Sequence, residues 1–503
     1  MDQYDARMRH PFPMDLVLDG KRPPGRSARE HVSGQLGAAI LSGQASAHEP
    51  LPSSRVLASA LGVSRGTVVS AYEELAGEGY VDVIPGSGTY VTTDLPSPPP
   101  SSRARSLTEP VGIETGGTET VETEPADASE PERTTRTLNL SPGSPAAGLH
   151  RDREWNSAWR KAARQDMPDL PPPAAGDEGF RAAIADHLRA ARGVQCTADD
   201  LVVTAGASDG IGLLVHALRS QGADDIRIAT ENPGHRASRA VISRLGATPI
   251  PIPVRDGGMD IDRLEGTSGP FAAALVTPSH QYPLGGRLPV ASRLALLDWA
   301  TTAGALIIED DYDSEFRHGA PSLPAIASLD GEGRVVLLGT FSKTLSPWLR
   351  CGYLLIPDRG FRAQVLEART TLGQPVSGMV QTALTDFLRA GGLRRHLVRV
   401  GREYAHRRRL VIDAMSDLPP QFRLDALEGG LHATLSWDGG ESDETAVEAL
   451  ARSGIEVAPL SSYHHDPAAP VRDGIVFGYG ASTALELRSA LRTIRDTLAS
   501  IRG

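Results

Sequence analysis

Lys343 stands in a run of hydroxyl residues behind an apolar stretch, LLGTFSKTLSPWLRCGYLL, residues 337–355. A lysine amine can form a Schiff base with an aldehyde cofactor. Thr340, Ser342 and Arg350 have the hydroxyls and the guanidinium to hold a phosphate on such a cofactor. A plain surface lysine after a strand is the competing reading. A second run, IIEDDYDSEF at 307–316, ends an apolar strand in acids, among them Asp310. A carboxylate there could hold a proton on a pyridine nitrogen. Metal binding is disfavoured because the run contains no histidine, and a solvated strand end remains open. A third, VVTAGASDGIG at 202–212, reads as a strand, a turn of small residues and a helix beginning at about Ser208. The amides of Gly206 and Ala207 and the Ser208 hydroxyl could hold phosphate at that helix N-terminus. Such turns are common, so this motif alone is weak.

A different chemistry lies near the N-terminus, in LPSSRVLASALGVSRGTVVSAYEELAGEGYVDVIPGSGTYV, residues 51–91. Before it, Val32, Leu36 and Ile40 recur at helical spacing over Arg29 to Leu41. Ser53 or Ser54 can cap a short helix to Leu61, Gly62 permits a sharp turn, and Ser64 can cap a helix over Arg65 to Gly77. That helix has an apolar stripe of Val68, Val69, Tyr72 and Leu75. Two short strands, Tyr80 to Val83 and Thr89 to Thr92, flank Pro85-Gly86-Ser87-Gly88. Three helices and a hairpin predict a winged helix-turn-helix. Arg65, Thr67 and Ser70 would face base edges, with Arg65 suited to guanine. Ser64 opens that helix, Arg55 reads as a phosphate contact, and Gly86 and Gly88 let a wing tip approach the backbone. An ordinary three-helix domain with a surface arginine is the bland alternative.

The elements that must position these groups divide the 503 residues into three parts. The winged helix occupies 14–92. Residues 93–137 are rich in Pro, Ser, Thr and Glu, have little to bury, and are expected to form a disordered acidic linker. Residues 138–503 alternate apolar strands with amphipathic helices, predicting an α/β domain with a mainly parallel sheet covered on both faces. Strand candidates are 201–204, 226–229, 273–276, 305–309, 335–338 and 352–356; helix candidates include 180–191 and 291–302. The net charge of -11 makes the whole chain an unpromising nucleic-acid binder. Residues 21–92 are balanced in charge, so DNA affinity would depend on a dimer engaging two half-sites. Cys196 and Cys351 are isolated and read as reduced thiols. With no apolar run suited to a signal peptide or a membrane span, a cytoplasmic protein without membrane contact is expected.

Residues 51–91 resemble the DNA-binding domain of the GntR family of bacterial repressors. The three C-terminal motifs, in their order, resemble fold-type I, aspartate-aminotransferase-like enzymes. Together they resemble the MocR, or GabR-type, subfamily of GntR regulators. That resemblance implies a multidomain chain: a winged helix-turn-helix of α+β type, then a fold-type I α/β domain with a smaller C-terminal α+β subdomain. It implies pyridoxal 5'-phosphate (PLP) as cofactor, with Lys343 forming the Schiff base. Asp310 would pair with the pyridine nitrogen and Tyr312 with the phenolic oxygen. Arg350 and Thr340 would hold the phosphate with the Gly206 loop, and His280 would lie beside the ring. It further implies a head-to-tail homodimer on double-stranded operator DNA. Two departures follow. His235 takes the place of an aromatic ring over the cofactor. Val476, in DGIVFGYG, takes the place of an arginine that receives an amino-acid carboxylate, and Arg236 is a conceivable substitute. A regulator sensing PLP or an amine, controlling vitamin B6 synthesis, is the favoured expectation. An active aminotransferase with an appended DNA-binding domain and a cofactor-free scaffold remain the alternatives.

Overall fold

The computed structural model describes residues 28–41, 45, 49–77, 80–84, 88–91, 137–146, 152–166, 168–222, 225–317, 324–466 and 472–500. The expected linker at 93–137 lies outside the described residues except for Thr137.

The N-terminal module contains α1 (Ala28–Leu41), α2 (Ser54–Leu61), α3 (Arg65–Gly77), β1 (Val81–Ile84) and β2 (Gly88–Val91), with the two strands antiparallel. Ser53 is the cap of α2: its side chain accepts from the Val56 amide, a contact worth about 1 kcal/mol. Gly62 ends that helix at φ 64, the left-handed conformation that glycine adopts without strain. Val32, Leu36 and Ile40 are buried with Val68, Tyr72 and Leu75 in one core. Val69 does not share that core. It is 37% exposed, because one residue turns the helix by about 100° away from the buried face. Val290 joins this core and Leu294 packs against it, so the module rests on the helix that carries them.

The large lobe is built from β4 (Leu201–Thr204), α6 (Ala207–Arg219), β5 (Arg227–Asn232), α7 (Arg236–Arg244), β6 (Thr248–Arg255), β7 (Gly258–Met259), α8 (Ile261–Glu265), β8 (Ala273–Val276), α9 (Val290–Ala303), β9 (Leu306–Asp311), β10 (Val335–Thr340) and β11 (Gly352–Leu355). Preceding it are β3 (Leu138–Asn139), α4 (Arg153–Ala162) and α5 (Glu178–Arg192). The sheet order is β4-β11-β10-β9-β8-β5-β6-β7. The steps from β10 through β9, β8 and β5 to β6 are parallel. The sheet is more mixed than the sequence suggests, because β11 runs antiparallel to both β10 and β4. The connection from β10 to β11 holds the Lys343 segment but no crossover helix that would return the chain to a parallel start.

The small lobe follows: α10 (Arg359–Leu372), α11 (Gly378–Arg389), α12 (Gly392–Met415), β12 (Phe422–Asp425), β13 (His432–Trp437), α13 (Asp443–Arg452), β14 (Ile455–Glu456), β15 (Ala458–Pro459), β16 (Asp473–Gly478) and α14 (Ala484–Ser500). Here α10 and α11 still pack on the large lobe. Strands β12-β13-β16-β15 form an antiparallel sheet, and β3 pairs with β14. Apolar clusters line both faces of the large sheet, so its strands are apolar on both sides. Both cysteines are buried and free. Among the described residues no helix is long and apolar enough to cross a membrane.

Candidate functional site

Three strand ends of the large sheet converge on one region, as expected for an open α/β sheet whose crevice lies beyond its carboxyl edge. Asp310 comes from β9 and Thr340 from β10, while the turn after β4 leads into α6. That helix begins at Ala207, one residue before the expected start, with Gly206 as its cap at φ 101 and no side-chain capping bond. Its first amides are thus left for an outside acceptor. Thr340 Oγ1 would lie 3.9 Å from a β-carbon at Gly206, so the hydroxyls and the helix start are neighbours. Thr340 donates to the Ser342 hydroxyl at 3.0 Å and accepts from the Ser342 amide at 3.1 Å. Ser208 is exposed at this mouth. Arg350 is also exposed, at φ 44, and its guanidinium makes no hydrogen bond or ion pair with the described residues.

Lys343 is held in a partly buried place, where desolvation lowers its pKa against the opposing pull of Asp313 and Asp310. A lower pKa leaves more of the neutral amine, the form that attacks an aldehyde. Gly143 passes directly over Nζ at φ 82. A β-carbon there would meet the amine, and the left-handed φ of this turn favours glycine in any case. Nothing in the local sequence pattern pointed to that crossing.

Asp310 has its pKa raised to about 7, first by burial and then by Asp311, Asp313 and Glu231, with Lys343 opposing. Its carboxylate makes no hydrogen bond with the described residues. Tyr312 donates to the His280 carbonyl at 2.9 Å. His280 Nδ1 lies 2.9 Å from Asp313 Oδ2 and 3.0 Å from the Tyr312 hydroxyl. With Nδ1–H given to Asp313, Nε2 is left as an acceptor. It is buried and without a partner. An orphaned ring nitrogen, an unbonded carboxylate and a deprotonatable lysine side by side fit the hydroxypyridine ring and aldehyde of PLP.

Other side chains in the site were not legible in the sequence. His432, Tyr282 and Tyr463 join His235, His280 and Tyr312 in a ring cluster. Tyr282 sits at its centre, with ring centres 4.9 Å from His432, 5.3 Å from Tyr463, 5.5 Å from His235 and 5.6 Å from Tyr312. Burial holds His235 neutral, its pKa lowered to about 4, and Lys343, Arg239 and Arg236 reinforce this. His432 is lowered to about 3, by burial first and then by His280. His280, Asp313 and His432 place one ligand atom each within 4.8 Å of one another. Two contacts already engage this trio, His280 Nδ1 with Asp313 and His432 Nε2 at 3.1 Å from the Pro283 carbonyl, while His280 Nε2 has no partner. Buried Glu231, raised to about 7 chiefly by burial, binds the Thr277 amide and hydroxyl. Arg192, from the end of α5, pairs with Asp311 at 2.8 Å and donates to Ser279 at 3.0 Å. It thereby braces the residues adjoining both Asp310 and His280.

The titration of Asp310 has a measurable consequence. Its folded pKa exceeds the ordinary 3.8, so between those values the folded state binds more protons than the unfolded state. Stability contributed by this group therefore falls as pH rises from about 4 to about 7. Cofactor-free protein should lose stability relative to Asp310→Asn across that interval. Melting both proteins side by side tests this, and a constant difference would contradict the burial argument.

On the N-terminal module, Arg55, Ser64 and Arg65 are exposed, and Thr67 and Ser70 are half-buried. Arg65 Nε donates to Ser54 Oγ at 3.3 Å, bringing the starts of α2 and α3 together on one surface. Ser64 caps α3 through the Thr67 amide at 3.1 Å, with the two hydroxyls 2.8 Å apart. Gly88 is exposed at φ 136, whereas Gly86 lies outside the described residues.

The family model for bacterial regulatory proteins of the gntR family matches residues 28–91. The model for aminotransferase class I and II matches 136–472. The HTH-type pyridoxine biosynthesis transcriptional regulator PdxR of Corynebacterium glutamicum is 40% identical, over 90% of this chain and 91% of its own. The chain belongs to the MocR-type regulators of the GntR family. The regulator is also 31% identical to the probable rhizopine catabolism regulatory protein MocR of Rhizobium meliloti, over 97% of this chain and 96% of that one. Among solved structures, an archaeal alanine:glyoxylate aminotransferase aligns with a TM-score of 0.66 at 21% identity, covering 73% of this chain and 92% of that one. At that identity the likeness concerns the fold: a fold-type I aminotransferase-like domain joined to a GntR helix-turn-helix.

Proposed function

We propose that the regulator binds operator DNA as a homodimer and holds PLP on Lys343, with PLP itself as the signal. The grouping of Lys343, Asp310, Tyr312 and orphaned His280 Nε2 carries this reading. When bound, PLP supplies an electrophilic aldehyde and a protonatable ring nitrogen. Lys343 offers a neutral amine to the aldehyde carbon. Asp310 holds a proton at the ring nitrogen. Tyr312 and His280 would adjoin the phenolic oxygen, and His235 would lie beside the ring. The start of α6 with Ser208, Thr340 and Ser342 receives the phosphate, and Arg350 stands ready at the rim. The name of the Corynebacterium relative supports a role in pyridoxine biosynthesis control. Val476, buried at the place expected for a carboxylate-binding arginine, argues against an amino-acid effector.

The test is a DNA-binding titration of the full chain on its own upstream region, with and without PLP. PLP should shift operator affinity in the absence of any amine. If PLP changes nothing while an added amine does, PLP sensing is wrong. Sustained keto-acid formation from a defined amino donor would instead favour the aminotransferase reading.

A further inference from the structure

We propose that Tyr463, packed edge-on against Tyr282 over Val476, closes the cofactor pocket to α-amino acids and so restricts the regulator to the pyridoxal ring. This inference rests on the PLP reading above. Val476 is fully buried on β16, in one cluster with Leu460 and Tyr463, and Tyr282, Leu284 and Ala458 pack against them. The hydroxyls of Tyr282 and Tyr463 lie 3.2 Å apart, one donating to the other. Tyr282 reaches on to Tyr312, His432 and His235, so the wall of rings is continuous from Tyr463 to the residues facing the cofactor.

Tyr463 is pinned from two sides. Buried Asp443 accepts from the Ser461 amide at 2.7 Å and from its hydroxyl at 2.8 Å, fixing the turn. From the large lobe, the Gly234 amide donates to the Tyr463 carbonyl at 3.0 Å. Arg239 donates to the carbonyls of Tyr463 at 2.7 Å and His464 at 2.9 Å. The His465 amide closes the set on Asn232 Oδ1 at 2.8 Å.

The latch also engages one nearby cation. Arg239 is committed to backbone carbonyls, also donating to Gly234 O at 2.9 Å. Arg236 is exposed. A carboxylate pushed against this wall would lose its water and meet apolar carbon and a hydroxyl pair already bonded to each other. The wall excludes by shape and by the cost of stripping water from the carboxylate.

The experiment follows the visible absorption of PLP-loaded full-length protein while L-alanine or L-glutamate is added. Wild type should show no saturable change. Tyr463→Ala opens space, and Tyr463→Ala/Val476→Arg adds a cation. Each should respond saturably, with apparent affinity at least about tenfold above wild type. Tyr463→Leu serves if alanine at 463 costs PLP retention. Saturable binding by wild type at comparable concentration overturns the proposal. So does a PLP-retaining variant that responds no better than wild type. PLP without effect on operator binding would sink the sensing role while leaving this spectral comparison intact.

Discussion

Lys343→Ala should abolish retention of PLP through dialysis and remove the long-wavelength absorption of a lysine-linked cofactor. The remaining groups around the ring and phosphate still attract PLP, but only non-covalently. The apparent affinity should fall by about two orders of magnitude or more. Loss of folding is not the expected cause. Burial of the lysine carries a desolvation cost that lowers its pKa, so its removal should leave the cofactor-free melting temperature unchanged or slightly raised. Operator binding by Lys343→Ala should no longer respond to PLP. Unaltered absorption and retention in a folded variant would overturn the lysine assignment.

Arg65→Ala should give the largest effect on the DNA side while leaving PLP absorption intact. Arg65 is exposed at the first turn of α3, tied to the start of α2 through Ser54. A bidentate guanidinium-to-guanine contact is worth about 1–3 kcal/mol of discrimination. Counted at two half-sites of a dimer, its loss weakens specific binding roughly 30-fold to 10⁴-fold. Lysine should not rescue it, since an ammonium lacks the planar fork. Arg55→Ala, by contrast, should weaken specific and non-specific DNA alike and reduce the salt dependence. Full operator affinity in Arg65→Ala would remove α3 as the reading helix.

The helices and strands of the N-terminal module were legible because their signals are local. Capping serines, Gly62 and an apolar period of about four residues act within one or two turns. Val69 escaped that pattern, since an apolar side chain one position off the stripe looks the same in sequence but points outward. The antiparallel β11 escaped as well, because an apolar strand buried on both faces carries no mark of its direction. The three chemistry-bearing runs were legible for the opposite reason. Each sits at one strand end and gathers unusual residues within a few positions.

What the sequence determined by itself is therefore the local inventory: a lysine after β10, acids at the end of β9, a small-residue turn into α6, and a serine-capped helix opening on Arg65. Only the tertiary structure decided which distant side chains meet them. Gly143 over Lys343, Glu231 beside Asp310, Arg192 behind Asp311, and His432 and Tyr463 against Tyr282 come from segments up to hundreds of residues apart. The physical reason is that burial, desolvation and ring packing depend on through-space neighbours. Those neighbours are set by how sheet, helices and lobes pack together, and no spacing along the chain encodes them.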